Sequence, residues 1–203
     1  MLVSGIKSRP VYHGLQIDPH ARCQLFVLEG EGALALLEKP ELKDADFLAR
    51  AEIIYVAGID KAGAAAHEVA LRAAGTSDYW QAPTIPTLLN RLRVTLTNAH
   101  MGLRLYTSGT EGFIGQVMQL GIEAGISYLS IRTEHRGSLA RRVSCVHCKG
   151  ITENVTTTPM TCSHCGLTLL VRDHYSRRIG AFQGVCIDAE VPGVVPPVEE
   201  AFK

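Results

Sequence analysis

The chain has 203 residues, of which 46% are hydrophobic and 20% are charged, and its formal net charge at pH 7 is zero. This length suits one large domain or one domain with a small module, and it excludes three or more ordinary domains. The composition excludes wholesale disorder. The zero net charge excludes a pull of the whole chain toward nucleic acid or an acidic membrane surface.

The sequence carries no membrane or export signal. No apolar run approaches the roughly 18 residues that a membrane span needs, and the longest runs are of the kind found at 33–37. Lys7 and Arg9 lie where an exported chain would be apolar, so we expect a cytoplasmic protein. Thiols stay reduced in that compartment, where paired cysteines favour metal binding over disulfides.

The first two thirds of the chain alternate between predicted strands and predicted helices. Apolar and β-branched segments predict strands over 24–28, 52–57, 103–107 and 126–131. Helical spacing or alanine-rich sequence predicts helices over 33–37, 62–74, 83–93 and 113–122. Such alternation implies parallel strand pairing, so the predicted fold class is α/β with a layered parallel sheet.

The charge balance changes along the chain. Residues 1–131 have a net charge of −2, residues 132–180 of +5 and residues 181–203 of −3. The composition breaks near Gly137, where the α/β-like sequence gives way to a cysteine-rich basic segment. We therefore predict an α/β domain over 1–137, a cysteine module over 138–185 and a Pro-rich acidic tail over 186–203.

Two C-x-x-C pairs, separated by 13 residues, are the strongest chemical signal. They are formed by Cys145, Cys148, Cys162 and Cys165. A hairpin between the pairs can bring four thiolates around one tetrahedral ion, and the alternating segment 151–155 and apolar segment 167–171 lie where the strands of a zinc ribbon belong. Four thiolates leave no open coordination position, so we predict structural Zn²⁺. The alternative is a single iron held as in rubredoxin, with an electron-carrying role.

The remaining candidate ligands and nucleophiles are predicted to be inactive. We call the two C-x-x-C segments, 145–148 and 162–165, the first and second knuckles. His147 and His164 lie within them, but four cysteines already satisfy a metal ion. Cys23 and Cys186 lie far from the knuckles in the sequence and are expected to be small buried side chains. No Ser/His/Asp set or close carboxylate pair emerges, so we predict no catalytic residues.

Basic residues border the cysteine module. They are Arg132, Arg136, Arg141, Arg142, Lys149, Arg172, Arg177 and Arg178. An acidic protein partner is favoured over a solvated face and over nucleic acid, because few aromatic side chains lie nearby to stack on bases. Arg177 and Arg178 are the predicted contact. They follow the second knuckle closely, so the metal would fix their backbone, and paired guanidinium groups suit carboxylates.

Two glycine-containing turns follow predicted strands and offer degenerate candidates for nucleotide binding. These candidates are Gly30, Gly32, Gly109 and Gly112. A Gly-rich turn between a strand and a helix lets phosphate approach backbone N–H groups. The first turn lacks a full G-x-G-x-x-G pattern, and Glu29 and Glu31 would repel a pyrophosphate. Tight turns of an α/β sheet are the favoured interpretation.

The segment from Arg104 to Phe113, continued by Gly125-Ile126 and ended near Thr133-Glu134, is similar to the last β-α-β unit of ferredoxin-reductase-type NAD(P)-binding domains. Those domains usually have Cys-Gly-Pro where this chain has Ser108-Gly109-Thr110. This difference and the two glutamates of the first turn predict NAD(P)H binding no tighter than about millimolar.

More specifically, the chain resembles the DmmA-like subunit of dimethylamine monooxygenase from about Lys7 to Glu190. The resemblance is densest in the run from Leu139 through both knuckles to Arg178. It implies a small subunit of a multi-component enzyme that demethylates dimethylamine to methylamine and formaldehyde with NAD(P)H and O₂. It also implies haem, FMN and [2Fe–2S] on partner subunits, namely a haem-binding oxygenase and a flavin/iron–sulfur reductase.

Overall fold

The computed structural model describes residues 8–58 and 63–202. Lys7, and Ala62 at the start of one predicted helix, lie outside the described residues. The chain divides into two compact units: one is Tyr12–Gly137, and the other joins the start of the chain up to Val11 with Ser138–Lys203.

In the first unit, a single parallel sheet is formed by the described residues. Its strands are β1 (Cys23–Glu29), β2 (Ala51–Val56), β3 (Asp78–Ala82), β4 (Leu103–Gly109) and β5 (Arg132–His135). The strand order is β3-β2-β1-β4-β5, and every neighbouring pair is parallel. The predicted α/β class with a parallel sheet is confirmed.

Helices cover both faces of this sheet. They are α1 (Leu34–Leu37), α2 (Ala45–Leu48), α3 (Ala64–Ala73), α4 (Ile85–Thr97) and α5 (Glu111–Glu123), with 3₁₀ turns at Gly30–Ala33, Pro40–Lys43 and Tyr128–Ser130. Leu88 and Leu92 of α4 pack with Val117 of α5 against one face, whereas Leu36 and Leu71 pack against the other. Two apolar layers therefore enclose the sheet, as the alternating pattern predicts.

The predicted strand at 126–131 is wrong. Helix α5 ends near Gly125, which has a φ of 88°, and the Ile126 N–H donates to the Gly121 carbonyl at 2.9 Å. Ile126 thereby closes the helix and packs on the core, and a 3₁₀ turn follows before β5 begins at Arg132. In this segment Ile126 and Ile131 pack on the core, whereas Tyr128 and Leu129 are exposed.

The second unit is built mainly from antiparallel strands. They are β6 (Arg141–Cys145), β7 (Ile151–Val155), β8 (Thr157–Thr158), β9 (Met160–Thr161), β10 (Thr168–Ser176), β11 (Ala181–Cys186) and β12 (Glu199–Glu200). One sheet has the order β7-β6-β11-β10-β9, in which only β6 and β11 are parallel, and β12 pairs with β8. Its core includes Val143, Leu169, Phe182 and Phe202.

Both ends of the chain contribute to this second unit. The Ser8 N–H donates to the Asp173 carbonyl at 3.0 Å, and the Tyr175 N–H donates to Ser8 Oγ at 2.8 Å. At the other end, the segment predicted as an acidic tail returns to the sheet, and Phe202 is buried. Over the part of the chain that is described, no helix has the length and apolar character needed to cross a membrane.

Candidate metal centre

The four cysteines lie in two turns with the same backbone geometry, which begin at Cys145 and Cys162. In each turn, the carbonyl of the first cysteine accepts a hydrogen bond from the N–H four residues later, at 3.0 Å in both. Its own N–H donates to the carbonyl five residues later, at 2.9 Å in both. Each turn folds its C-x-x-C segment into a loop that directs both sulfurs to one side.

The four sulfur atoms form a compact cluster, with every pair within 4.8 Å. Sγ of Cys145 lies 3.9 Å from Sγ of Cys165, and Sγ of Cys148 lies 3.7 Å from Sγ of Cys162. A tetrahedral ion with metal–sulfur bonds of about 2.3 Å requires sulfur separations of about 3.8 Å. The cluster therefore fits one tetrahedral metal ion held by four thiolates.

Polar contacts join the second turn to β7, the strand that follows the first turn. The Ser163 N–H donates to Thr152 Oγ1 at 3.1 Å, and the two hydroxyl oxygens lie 3.0 Å apart. His164 Nε2 lies 2.9 Å from the carbonyl oxygen of Ile151, and a Cβ on Gly150 would overlap the ring of His164. His164 is therefore engaged with the backbone of the neighbouring strand. Across the described residues, the group that could hold a metal ion consists of the four cysteines.

The position four residues after the first cysteine has left-handed backbone in both turns. It is Gly166 in the second turn, with a φ of 75°, and Lys149 in the first, with a φ of 65°. Glycine adopts this conformation without steric cost, whereas a residue with a Cβ pays roughly 1 to 2 kcal/mol. Lys149 is thus a strained residue in the first turn.

Electrostatics of the cluster favour a bound cation. Burial raises the pKa of the Cys162 thiol, but backbone N–H groups of Cys165 and His164 and the neighbouring sulfurs outweigh it and bring the pKa to about 6. The backbone N–H of Leu167 lowers the pKa of Cys165, but burial and the three other sulfurs raise it to about 12. Four thiolates repel each other at this distance, and a divalent cation removes that repulsion.

The second candidate region is the point where the strand order reverses, between the carboxyl ends of β1 and β4. Parallel sheets bind ligands at such a point. The structure brings the four predicted glycines to this edge: Gly30 and Gly32 follow β1, Gly109 ends β4, and Gly112 lies in the first turn of α5. A Cβ on Gly32 would overlap the carbonyl of Ser108. The close approach of the Ser108 backbone therefore explains why position 32 is a glycine, and no ligand is needed for that explanation.

An internal carboxylate occupies the amino end of α5. Glu29 at the end of β1 is 4% exposed, and its Oε2 accepts hydrogen bonds from the Thr110 N–H at 2.9 Å and from Thr110 Oγ1 at 2.7 Å. Burial raises the pKa of Glu29 above its usual 4.5, against the hydrogen bonds from Thr110. Glu29 therefore fills the position where a phosphate would meet this helix. Glu31, the other glutamate of this turn, is exposed.

Two family models match the chain, and between them they cover both units. Residues 4–131 match the N-terminal domain of "dimethylamine monooxygenase subunit DmmA-like", and residues 142–185 match the C-terminal domain of the same description. The chain belongs to the DmmA-like family. The resemblance found in the sequence is thus confirmed. The four clustered cysteines lie in the part that matches the C-terminal domain.

A curated relative of this DmmA-like chain is the heme-dependent oxidative N-demethylase delta subunit of Ectopseudomonas mendocina (strain ymp). The two are 38% identical over 116 residues, which span 56% of this chain and 66% of the relative. Among solved structures, the chain is similar to a flavohemoglobin from Malassezia yamatoensis, with 18% identity and a TM-score of 0.42 over 61% of this chain and 33% of the other. It is also similar to full-length CYP116B46 from Tepidiphilus thermophilus, with 16% identity and a TM-score of 0.41 over 68% and 19%.

Arg177 and Arg178 do not lie next to the second knuckle. Both are exposed in the turn between β10 and β11, and the nine-residue strand β10 separates them from the knuckle. Nine extended residues span about 30 Å. The expectation that the metal fixes their backbone is therefore wrong, and the β10–β11 hairpin positions them instead. Their predicted role in partner binding remains a prediction.

The basic residues around the module belong to two different units, and they differ in exposure. Arg136 belongs to the first unit, where it pairs with Glu134 at 2.7 Å. Arg141 is only 2% exposed, and its guanidinium lies 4.0 Å from the ring centre of Phe182 and 3.9 Å from that of Phe202. The alternation along β6 could have revealed this, because Arg141 shares the inward face of Val143 and Cys145.

The remaining cysteines are half-buried thiols rather than fully buried ones. Burial, followed by the neighbouring Glu52 carboxylate, raises the pKa of Cys23 to about 12. A hydrogen bond to Asp188, at 3.1 Å, raises the pKa of Cys186. Both thiols therefore stay protonated at neutral pH, and a protonated thiol is a poor nucleophile.

Proposed function

We propose that this DmmA-like chain is the non-haem small subunit of a multi-component oxidative N-demethylase that acts on dimethylamine. The overall reaction converts dimethylamine, O₂, NAD(P)H and a proton into methylamine, formaldehyde, water and NAD(P)⁺. The observation that carries the proposal is a closed cluster of four cysteines in a member of this family. The 38% identical relative is named as the delta subunit of a heme-dependent oxidative N-demethylase, which supports the same assignment.

The metal in this proposal is structural Zn²⁺. Cys145, Cys148, Cys162 and Cys165 would hold it, and four thiolates leave no position for water or substrate. When bound, the ion supplies a cross-link between the two turns. Cys145 and Cys162 are 1% and 2% exposed and lie within the apolar core of the second unit, so the cross-link would stabilise that core directly.

The redox groups of the proposed enzyme are haem, FMN and [2Fe–2S], all on partner subunits. The partners are a haem-binding oxygenase subunit and a flavin/iron–sulfur reductase subunit. This chain would organise the complex and the electron transfer between its partners, in the cytoplasm. Glu29 supports a role without NAD(P)H binding, because its carboxylate already uses the amino end of α5.

Arg177 and Arg178 are the proposed contact with an acidic surface of a partner subunit. Both are exposed at the tip of a hairpin, where a pair of guanidinium groups can meet carboxylates. Within the same unit, Arg141 pairs with Asp173 at 2.7 Å, and Arg142 with Glu153 at 2.8 Å.

The alternative is a zinc-ribbon adaptor or a nucleic-acid-binding protein. Arg141 and Arg142 are paired with carboxylates, and Phe182 is buried. These arginines therefore offer less charge to phosphates and Phe182 offers no ring to bases, which weakens the case for nucleic acid. A nucleic-acid complex would show a steep dependence of affinity on salt concentration.

Purification of the tagged chain from cells that produce the whole enzyme tests the proposal. We expect it to bring down larger subunits with haem and flavin absorbance, and removal of the chain to abolish NAD(P)H-dependent dimethylamine oxidation. Zinc analysis of the same sample should give about one ion per chain. A colourless chain that is retained on nucleic acid, with dimethylamine oxidation intact without it, would contradict the proposal.

A further inference from the structure

The segment between β11 and β12, residues 187–198, is held at both ends. At its start, the Ile187 N–H donates to the Thr168 carbonyl at 3.1 Å, and the Asp188 carboxylate accepts hydrogen bonds from the Cys186 thiol and the Gly193 N–H, both at 3.1 Å. We call residues 187–198 the proline loop. The loop contains no helix or strand, but these hydrogen bonds hold it in place.

The far end of the proline loop is fixed more firmly. Strand β12 pairs with β8, and the N–H groups of Ala201 and Phe202 both donate to the Thr156 carbonyl, at 3.0 and 2.9 Å. The Phe202 ring covers the guanidinium of Arg141 from one side while Phe182 covers it from the other. A buried cation–π contact of this kind contributes to stability and anchors the returning chain.

The sequence of the loop orders its backbone further. Val191-Pro192-Gly193-Val194 forms a turn in which the Val194 N–H donates to the Val191 carbonyl at 3.2 Å and Gly193 has a φ of 82°. Proline and glycine in these positions are typical of a type II turn. Residues 194–198 follow with two consecutive prolines, which restrict the backbone to extended, polyproline-like conformations.

The loop displays its apolar side chains to solvent. Four valines, at positions 191, 194, 195 and 198, are between 43% and 65% exposed. Val195 and Val198 are three residues apart, which is the spacing at which two side chains share one edge of a polyproline helix. The nearby exposed acidic residues Glu190 and Glu199 flank this apolar edge. Apolar surface that is held in place and left uncovered is typical of an interaction site.

We propose that the proline loop docks into a groove on a partner subunit that is lined by aromatic side chains and rimmed by basic ones. Proline-rich segments bind aromatic-lined grooves because little conformational entropy is lost on binding. The flanking carboxylates supply the charge that a basic rim complements. The inference rests on the proposed function, because it takes the partner to be a subunit of the haem-containing enzyme.

Two variants with matched charge test the loop. The double variant Val195→Asp/Val198→Asp changes the exposed apolar edge. The control, Val69→Asp/Val94→Asp, places the same charges at exposed valines of α3 and α4. Each tagged chain is produced with the companion subunits, and co-eluting haem absorbance is measured per chain. Affinity for the purified haem-containing subunit is then titrated. We expect at least ten-fold weaker binding for the loop variant, with zinc content and thermal stability unchanged.

A second variant separates backbone order from simple hydrophobic contact. Pro196→Ala/Pro197→Ala keeps all four valines and should also weaken binding of the haem-containing subunit, several-fold. The inference is overturned if the valine loop variant retains haem and affinity as the control does. If even the wild-type chain brings down no haem, the proposed function itself fails, and the loop proposal fails with it. If binding is lost only because the loop variant has lost zinc or melts early, a packing role replaces the docking role.

Discussion

Backbone hydrogen bonds help to position the cysteines of the candidate metal centre. The Gly150 N–H donates to the sulfur of Cys148 at 3.4 Å, and the repeated turn geometry fixes the first cysteine of each pair. Hydrogen bonds of this kind stabilise the thiolate form, which is the form that binds metal. Loss of one thiolate would leave three ligands and a turn without its cross-link.

Single replacements of these ligands therefore should remove the metal. We expect Cys162→Ser to lose zinc and to unfold the second unit, while the α/β unit keeps its helical circular dichroism signal. Elemental analysis and thermal melting measure both effects. Cys186→Ser is the matched control, because its thiol lies outside the cluster, and it should keep about one zinc per chain. A red iron chromophore in protein grown without excess iron would contradict the choice of zinc.

Lys149 and Gly166 have left-handed backbone at equivalent positions of the two turns, and this leads to a prediction about stability. We expect Lys149→Gly to stabilise the second unit by about 1 kcal/mol, because glycine removes the steric cost of a φ of 65°. Gly166→Ala should destabilise it by about the same amount, since a Cβ there contacts nothing and only backbone strain changes. The midpoint of unfolding in urea, measured on metal-loaded protein, would show both shifts. Shifts of the same sign would contradict the argument.

At the scale of elements, the contact of β1 with the amino end of α5 organises the α/β unit. Thr110 caps the helix by accepting from the Phe113 N–H, and Glu29 accepts from Thr110 in turn. A negative charge near a helix amino end is favourable, but its burial is costly. The raised pKa of Glu29 reflects the second effect.

This balance predicts a pH dependence of stability. The folded-state pKa of Glu29 lies above the unfolded value, near 4.5, so the folded form binds the proton more tightly. The resulting stabilisation is complete below the unfolded pKa and is lost as pH rises through the folded pKa. We expect Glu29→Gln to remove this part of the pH dependence while the fold is retained. The unfolding free energies of the two proteins, measured against pH above 4.5, should differ by a constant amount if Glu29 has no such role.

For the whole molecule, the point where the strand order reverses bears on nucleotide binding. The order β3-β2-β1-β4-β5 provides a reversal point where a nucleotide could bind, but Glu29 occupies the helix end that would meet its phosphates. We expect NAD(P)H to bind the isolated chain no more tightly than about millimolar, or ~4 kcal/mol. Calorimetry with NADH and NADPH measures this, and micromolar affinity for either would overturn it.

The last prediction concerns assembly of the complex through Arg177 and Arg178, at the tip of the β10–β11 hairpin. We expect Arg177→Glu/Arg178→Glu to weaken complex formation and dimethylamine oxidation together, with an effect that shrinks at higher salt because salt screens exposed charges, while zinc content and melting stay near wild type. Exposed charge pairs in isolation contribute only ~0 to 1 kcal/mol, so stability should not respond. The double variant Lys43→Glu/Arg93→Glu makes the same charge change at exposed sites of the α/β unit and should assemble normally. Unchanged assembly in both variants would leave Arg177 and Arg178 as ordinary surface residues.

The local features of this protein can be predicted from its sequence. The four candidate metal ligands are predictable because each C-x-x-C turn is a short-range structure, and the α/β class is predictable because apolar periodicity is local. Strand β3 was not predicted, because it is an edge strand whose sequence, Asp-Tyr-Trp-Gln-Ala, lacks an apolar run. The apolar stretch before β5 suggests a strand, but Ile126 closes α5 and Ile131 packs on the core around a 3₁₀ turn.

Contacts between distant segments determine which charged groups are buried and how the last residues reach the core of the second unit. Arg141 resembles a surface arginine in the sequence, yet it lies between Phe182 and Phe202, which are 41 and 61 positions away in the chain. Arg177 is close to the second knuckle in sequence but is separated from it by the length of β10. Glu29 meets α5 only because β1 and β4 pair. Each of these placements depends on contacts between distant segments, and no local pattern of residues encodes them.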